Sequence, residues 1–267
     1  MTEHGTGHEA EHGTGHGAEW RIAEFREVRE LGRGGQGRVV LAVHERSGTP
    51  VAIKYLAAGA DPADRELYRH EARMLAQVGS PHVARLYRLV ESGQGTAIIM
   101  EAVNGASLKE VLARHRALEP EAALTVLKGS LLGLAAAHAV GVVHRDYKPA
   151  NVIVPADGRS RLIDFGIAVA AGTASRSGTP AYMAPEQWEG EPATPATDVY
   201  AATCVFFEAV TGRRPYSAAD RAALMHGHLL QPVPLEALPE PLRPLVARGM
   251  AKRPEQRPFG AAAFVDE

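Results

Sequence analysis

The sequence contains a single cysteine among 267 residues, so no disulfide can form within the chain. Cys204 lies in the mostly apolar run ATCVFFEAV, which predicts a buried thiol in a reducing compartment. Long apolar runs are also lacking, since none approaches the roughly 18 uninterrupted apolar residues of a membrane helix. These absences exclude a disulfide-stabilised secreted scaffold and predict a chain without a membrane segment.

An excess of one charge sign is missing as well. Lys and Arg number 29 against 31 Asp and Glu, for a formal net charge of −2. Such a balance creates no strong field to attract nucleic acid or an anionic membrane, so neither is predicted as a partner. Hydrophobic residues make up 45 % of the chain, enough for a substantial core in one large domain or two modest lobes.

The first 19 residues repeat EHGTGH at 3–8 and 11–16, which spaces His4, His8, His12 and His16 four residues apart. Four histidines at this spacing could bind a transition metal. Five glycines between positions 5 and 17 favour a solvated tail instead. We therefore predict that residues 1–19 are disordered.

Short strands are predicted from Trp20 onward, because FREVRELG and RVVLAVHE flank the glycine stretch LGRGGQGRVV and VAIKYL follows a turn at RSGTP. The GxGxxGxV pattern fits a dinucleotide fold, a phosphate cover of the kinase type or a plain flexible hairpin. A dinucleotide fingerprint needs its glycines between a strand and a helix. Here they join two antiparallel strands, which disfavours the dinucleotide fold.

A helix is predicted after this sheet, with Asp61 as N-cap, Pro62 at its first position and Gly79 as its stop. Glu71 falls on the apolar face of that helix, and Lys54 points from its strand to a partly buried side of the sheet. An unpaired charge in either place would cost several kcal/mol. The pattern therefore predicts that Lys54 and Glu71 form an ion pair.

The second half of the chain reads as helical. PEAALTVLKGSLLGLAAAHAV predicts a long amphipathic helix that stops at Gly141, and DVYAATCVFFEAVTG predicts a helix that is apolar nearly all round and hence central. The resulting layout is a sheet-rich lobe over 20–103 and a larger helical lobe over 104–267.

Between these two helices, NVIV and RLID flank the turn pair Asp157-Gly158 and predict a hairpin. If Val154 pairs with Arg161, Asn151 stands opposite Asp164. Oxygen-bearing side chains at the open end of one hairpin suit a hard cation such as Mg²⁺.

Two more functional side chains precede that hairpin. Asp146 stands five residues before Asn151, and Lys148 follows Asp146 by two. An acid that orients a hydroxyl, a lysine that neutralises charge and two metal ligands are the equipment of phosphoryl transfer.

The ordered set GxGxxGxV, VAIK, HRDxKxxN, DFG, GTPxY and APE resembles the eukaryotic-type Ser/Thr protein kinases over about residues 22–264. The alanine-rich and arginine-rich style is similar to that of actinobacterial members. The resemblance implies an α+β bilobal fold, with an antiparallel sheet and one helix in the N-lobe and a mostly helical C-lobe. It also implies an enzyme that transfers the γ-phosphate of ATP to Ser/Thr hydroxyls of proteins, with Mg²⁺ or alternatively Mn²⁺ as the metal.

Individual roles follow from the same resemblance. The catalytic set is a catalytic acid, two lysines and the glutamate that positions one of them: Asp146, Lys148, Lys54 and Glu71. The metal ligands are Asn151 and Asp164. The nucleotide-binding set comprises the glycine loop, the apolar side chains that enclose adenine, the gatekeeper and the lobe connector: Leu31, Gly32, Gly34, Gly37, Val39, Ala52, Lys54, Met100, Glu101, Val103 and Ile153.

Further positions are assigned to structure and control. The resemblance pairs Glu186 with Arg257, makes Asp198 the brace of the HRD loop and gives Thr179 the groove beside the acceptor hydroxyl. The lysine at position 148 and the threonine at position 179 are typical of Ser/Thr kinases and not of tyrosine kinases.

Between Asp164 and Glu186 runs an activation segment whose phosphate Arg145 could receive. Autophosphorylation is predicted first at Thr173 and second at Ser175, through self-association of two chains. The alternative is that these hydroxyls only make the segment soluble.

Two other functions stay open. A small-molecule phosphotransferase of the aminoglycoside-kinase type shares the bilobal layout but is not expected to keep GTPxYMAPE, which docks a polypeptide. A pseudokinase scaffold usually lacks the lysine, the catalytic Asp or the metal Asp, and all three are present here. The final GAAAFVDE begins a helix near the last residue, from which we expect the cytoplasmic domain of a longer, membrane-anchored kinase.

Overall fold

The computed structural model describes residues 20–34, 37–56, 62–165 and 179–266, with the backbone alone at 62–64 and 67. The histidine repeat of the first 19 residues lies outside this part of the chain. None of the described helices has both the length and the apolar character that a membrane crossing requires.

The N-lobe is built on a five-stranded antiparallel sheet in the order β1-β2-β3-β5-β4. Its strands are β1 Phe25–Gly34, β2 Gly37–His44, β3 Pro50–Leu56, β4 Leu86–Ser92 and β5 Gly95–Glu101. Gly34 pairs with Gly37, so the glycine stretch joins two antiparallel strands as predicted. Val51 and Ile53 are buried in the apolar cluster on one face of the sheet, while Lys54 projects from the other.

Helix α1, Pro62–Leu75, packs beside this sheet and is the only described helix of the N-lobe. Asp61, the predicted N-cap, lies outside the described residues. The helix ends at Leu75 and not at Gly79, because two of the amides that follow bond to the carbonyl oxygen three residues back and not four. Gln77 N donates to Met74 O and Val78 N to Leu75 O, both at 3.0 Å. Gly79 lies beyond the turn at 76–77 that follows the helix, and its predicted role as the helix stop was wrong.

The C-lobe is mostly helical. Its described helices are α2 Leu108–His115, α3 Pro120–His138, α4 Pro185–Glu189, α5 Pro195–Thr211, α6 Arg221–Leu230, α7 Arg243–Gly249 and α8 Ala261–Val265. Helix α5 is buried along almost its whole length and stops where Gly212 takes the left-handed conformation at φ 70°. It is the central helix that the sequence predicted. Cys204 within it is fully buried, and burial raises the pKa of its thiol.

A small sheet lies below the connector, with β6 Ala106–Ser107, β7 Val152–Val154 and β8 Arg161–Leu162 in the order β6-β7-β8. The turn between β7 and β8 contains Gly158 at φ 74°. The register pairs Ile153 with Arg161, one residue away from the predicted pairing of Val154 with Arg161. The loop at 155–160 sets this register, and β7 begins at Val152 because Asn151 belongs to a 3₁₀ turn, Pro149–Asn151.

One apolar core links the two lobes. It runs from α1 and β5, through Leu75 and Ile98, to the residues of α3 and α5. The site described next lies along this junction, so its side chains come from both lobes and their distances depend on how the lobes pack.

Candidate functional site

The loop that contains Asp146 joins α3 to β7 and is held from below by α5. Asp198 of α5, 1 % exposed, accepts from the amides of His144 at 2.7 Å and Arg145 at 2.9 Å. This is the contact predicted for a brace. Arg145 has φ 65°, a conformation that costs energy for a residue other than glycine, and the two bonds to Asp198 hold it there.

His138 is a further part of this brace that sequence reasoning did not identify. Its Nε2 lies 2.8 Å from Asp198 Oδ2, so three groups converge on one buried carboxylate. The available signal was its position, since His138 is the last residue of α3 and α3 leads directly into the loop.

The carboxylate of Asp146 is fixed through both oxygens. Oδ1 accepts from Thr179 N at 2.8 Å and Thr179 Oγ1 at 3.0 Å, and Oδ2 accepts from Lys148 Nζ at 2.5 Å. Asn151 Nδ2 donates to the backbone oxygen of Asp146 at 3.0 Å. Four residues predicted to share one site therefore meet here, and an oriented carboxylate beside an ammonium group suits proton transfer next to a phosphate.

The two predicted metal ligands suit a hard cation. Because Asn151 Nδ2 is used by Asp146 O, its amide oxygen is the atom left for a ligand. Ile163 N donates to Asn151 O at 3.0 Å, which brings Asp164 close to the first residue of β7. Carboxylate and amide oxygens are the donors that Mg²⁺ takes together with phosphate oxygens. The donor set thus fits the predicted metal, although the hairpin register that first suggested it was off by one.

Lys54 and Glu71 do not pair with each other among the described residues. Lys54 Nζ donates to Asp164 Oδ1 at 2.5 Å, and Glu71 Oε1 accepts from Arg145 Nη1 at 2.6 Å. The predicted ion pair was therefore wrong for this structure: each charge is paired, but with a residue of the C-lobe. Burial raises the pKa of Glu71, and the charge and hydrogen bond of Arg145 offset only part of that effect.

The predicted adenine site faces the connector between the lobes. The registers place Val39 opposite Lys54 and Met100 opposite Ala52, so these side chains share the face of the sheet that looks toward the C-lobe. Val103 lies two residues past the end of β5, in the connector. Ile153 rises from β7 below the connector, close enough that a Cβ on Gly105 would approach its Cγ2 at 2.7 Å.

The glycine hairpin leaves room above that face. A Cβ built at Gly32 or Gly34 meets nothing within 4 Å, so neither glycine is required by packing inside the chain. Leu31 beside them is 44 % exposed. Gly37, at φ 124°, is the position where the backbone conformation itself requires glycine. Residues 35 and 36 at the tip lie outside the described part.

A cavity continues behind Met100 toward α1. It is lined mainly by apolar side chains of both lobes together with one carboxylate: Leu75, Ala84, Leu86, Ile98, Met100, Asp164 and Phe165. The cavity is therefore continuous with the predicted nucleotide and metal positions.

The predicted partners Glu186 and Arg257 form a closed pair deep in the C-lobe. Arg257 Nη1 and Nη2 donate to the two oxygens of Glu186, both at 2.8 Å, and Thr197 Oγ1 donates to Glu186 at 2.8 Å. The predicted phosphorylation positions Thr173 and Ser175 lie outside the described residues. Only Arg145, the proposed phosphate partner, is described.

Comparison with known proteins agrees with this geometry. The family model described as "Protein kinase domain" matches residues 25–264. Serine/threonine-protein kinase PknH of Mycobacterium bovis is 38 % identical over 244 residues, which cover 86 % of this chain and 41 % of that protein.

Two further relatives come from Mycobacterium tuberculosis. Serine/threonine-protein kinase PknA is 36 % identical over 257 residues, 91 % of this chain and 60 % of the relative. For serine/threonine-protein kinase PknE the identity is 36 % over 250 residues, 89 % of this chain and 44 % of the relative. The chain thus spans about two fifths to three fifths of the length of these relatives.

Proposed function

The chain belongs to the protein kinase family, and we propose that it transfers the γ-phosphate of ATP to Ser/Thr hydroxyls of protein substrates. The observation that carries this proposal is the Asp146 carboxylate, held at 2.5 Å from Lys148 and at 2.8 and 3.0 Å from Thr179. Its relatives are named serine/threonine-protein kinases, which supports the same acceptor class. We place the boundary between the two lobes after residue 103.

The reaction follows from these positions. The acceptor hydroxyl donates its proton to Asp146 as its oxygen bonds to the γ-phosphorus, and the bond from that phosphorus to the bridging β-oxygen breaks, so that ADP leaves. The ammonium group of Lys148 lies where it can neutralise negative charge on the transferred group. Thr179 holds Asp146 in one orientation through two hydrogen bonds, which keeps the accepting oxygen aimed at a hydroxyl.

Nucleotide and metal are placed by residues of both lobes. Asn151 and Asp164 would hold Mg²⁺, which neutralises phosphate charge when bound. We propose Mg²⁺ as the metal and keep Mn²⁺ as the alternative, since a donor set of oxygens alone suits both ions. Lys54 would bind the α- and β-phosphates, and the connector backbone at Glu101 and Val103 would bind adenine.

Control is proposed through Arg145. In this structure its guanidinium is occupied by Glu71 at 2.6 Å. A phosphate introduced by autophosphorylation at Thr173 or Ser175 would bear up to two negative charges and compete for the same guanidinium. Release of Glu71 would then make it available to Lys54. We propose that one copy of the chain phosphorylates another, in the cytoplasm.

The test compares wild-type chain with Asp146→Asn and, as a matched control, Asp157→Asn in the exposed turn between β7 and β8. Transfer of radiolabelled phosphate from ATP to a generic protein acceptor is measured with Mg²⁺. Because general-base catalysis contributes typically 10²–10⁴-fold, Asp146→Asn should lose about that factor while the control keeps wild-type activity.

Other outcomes separate the remaining alternatives. Wild-type chain that binds nucleotide but labels neither itself nor a protein acceptor would leave the scaffold interpretation standing. Transfer to an aminoglycoside but not to protein would favour the small-molecule phosphotransferase. A Mn²⁺ optimum would overturn the choice of metal without touching the reaction.

A further inference from the structure

We infer that the ion pair between Arg161 and Glu101 is a positioning clamp that sets both ends of the nucleotide site: the adenine-binding connector and the strand that presents Asp164. Neither role of Arg161 follows from the proposed chemistry, in which only the backbone of Glu101 is used. The inference rests on the proposed function to the extent that it assumes a nucleotide binds between the lobes.

The clamp is a two-point contact between the lobes. Arg161 Nη1 donates to Glu101 Oε1 at 2.6 Å, and Arg161 Nη2 donates to Glu101 Oε2 at 2.7 Å. Arg161 Nη2 also reaches Val83 O at 3.3 Å. A bidentate guanidinium contact fixes orientation as well as distance, which a lysine in the same place could not do.

At one end of the clamp, both the backbone and the side chain of Glu101 form hydrogen bonds. Glu101 is the last residue of β5. Its amide donates to Arg85 O at 2.8 Å and its carboxylate accepts from Arg85 N at 3.2 Å, in addition to the two bonds from Arg161. The side chain is thereby directed toward the C-lobe, and the backbone at the start of the connector is left with one orientation toward the predicted adenine position.

The other end leads to the metal ligand. Arg161 stands three residues before Asp164 in a segment with little freedom: Leu162 N donates to His82 O and Ala84 N donates to Leu162 O, both at 2.8 Å. Ile153, one of the apolar side chains predicted to enclose adenine, lies directly opposite Arg161 in the hairpin. A shift of Arg161 would therefore displace Ile153 and the backbone that leads to Asp164, which itself stands at φ 61°.

The charges of the clamp are only partly exposed. The side chains of Arg161 and Glu101 are 22 % and 27 % exposed, against 48 % and 54 % for Arg88 and Glu24, a pair on the surface of the N-lobe. Burial alone would raise the pKa of Glu101, but the hydrogen bonds from Arg161 and from the Arg85 amide outweigh it and hold that pKa below its ordinary value. The pair is thus ionised and ordered, as a positioning contact requires.

A purely structural role is the competing explanation, in which the clamp only fastens the small hairpin to the N-lobe. The two differ in what a broken clamp changes. A fastening would lower the unfolding temperature and leave nucleotide affinity unchanged in the folded fraction. A positioning clamp would alter nucleotide affinity and the metal requirement in protein that is still folded.

The experiment uses the full chain with Arg161→Met, Arg161→Lys and the charge-swapped double variant Glu101→Arg/Arg161→Glu. Arg159→Met in the same hairpin is the matched control, because Arg159 is exposed and lies two residues from Arg161. Calorimetry measures the affinity for ADP with EDTA and then across a Mg²⁺ titration, and thermal unfolding reports the folded fraction.

Because a misplacement of about 1 Å can cost up to 10²-fold in function, we expect Arg161→Met to weaken ADP binding about 10-fold and to raise the Mg²⁺ needed for tight binding several-fold. Arg161→Lys, which keeps the charge but not the second contact, should lie between Arg161→Met and wild type. The double variant should recover part of the loss, and Arg159→Met should match wild type.

Wild-type ADP affinity in folded Arg161→Met, or in folded Arg161→Lys should Arg161→Met not fold, would overturn the inference. Since ADP binding is read without any transfer, wild-type chain that binds ADP but transfers no phosphate would refute the proposed function and still leave the clamp to be judged by these variants. Wild-type chain that binds no ADP would refute both.

Discussion

The ion pair of Arg257 with Glu186 in the C-lobe differs from the set of four charges between the lobes in how completely it is buried and in how completely its hydrogen bonds are satisfied. All five N–H groups of Arg257 have acceptors: the two oxygens of Glu186 and the backbone oxygens of Ala196, Ala251 and Lys252. Its side chain is 0 % exposed. With each donor used, the pair has one arrangement, and any other would leave a buried charge without a partner.

The charges between the lobes are less constrained. Glu71 comes from α1 and Lys54 from β3, while Arg145 and Asp164 come from the C-lobe. Among the described residues Glu71 has one hydrogen bond, to Arg145, and burial raises its pKa. Two cations and two anions can be paired in two ways, and the choice depends on where α1 lies relative to the C-lobe. A saturated ion pair thus fixes a structure, whereas a partly satisfied set permits a change of partner.

The largest change in the free energy of unfolding is expected at Arg257. Arg257→Met should lower the free energy of unfolding by about 3–5 kcal/mol, because Glu186 would remain buried without its cation. Chemical denaturation measures the loss. Arg253→Met is the matched control: Arg253 pairs with Glu255 at the surface, with side chains 69 % and 66 % exposed, and should cost no more than about 0.5 kcal/mol. Equal losses in the two variants would contradict the distinction between saturated and exposed pairs.

The same distinction explains what could be predicted from the sequence. Glu186 and Arg257 were identified by resemblance alone and lie together, because their contact is settled within one lobe. The exchange at Glu71 could not be read from spacing, since it depends on the packing of two lobes. The sequence also gave no sign of the clamp at Arg161, which needs the relative positions of β5 and β8.

Local rules failed where two of them competed. Gly158 does form the predicted turn, but a turn residue does not determine register. Register follows from the conformation of the whole loop at 155–160, and Ile153 pairs with Arg161. Asn151 lies outside the strand, because its amide bonds to Lys148 O at 2.9 Å in a 3₁₀ turn. Gly79 was a plausible stop for α1, but the helix tightens into a turn after Leu75.

The surroundings of His228 are a second fixed region of the C-lobe, and they make the stability of the chain depend on pH. His228 is fully buried, with Nδ1 3.0 Å from Tyr200 OH and its ring beside Trp188 and Tyr216. Burial first, and the charge of Lys252 second, lower the pKa of His228 to about 4. The unfolded chain, with an ordinary pKa near 6.5, then binds more protons between these values, so stability is lost as pH falls from about 6.5 to 4.

The full loss should amount to about 3 kcal/mol, since each unit of pKa difference is worth about 1.4 kcal/mol. About 2 kcal/mol of this loss should appear between pH 7 and pH 5, and denaturation at these two pH values measures it. His228→Gln should be less stable than wild type at pH 7 but flatter with pH, while His115→Gln, at an exposed position, should follow wild type. The same slope in His228→Gln and wild type would assign the acid sensitivity to other groups.

At Glu71 we expect a small change in stability together with a clear loss of activity. Glu71→Gln should alter the free energy of unfolding by no more than about 1 kcal/mol, because burial already disfavours the charge of Glu71 and Arg145, 24 % exposed at its side chain, can turn to water.

Phosphate transfer by Glu71→Gln should nevertheless fall about 10-fold or more, since Lys54 would lose the partner proposed to position it. Glu66→Gln on the exposed side of α1, where the Glu66 side chain is 62 % exposed, should leave both quantities unchanged. A loss of 3–5 kcal/mol in Glu71→Gln would show that Glu71 and Arg145 form a fixed pair of the Arg257 kind. A small loss of stability with a large loss of phosphate transfer would show that Glu71 can change its partner from Arg145 to Lys54.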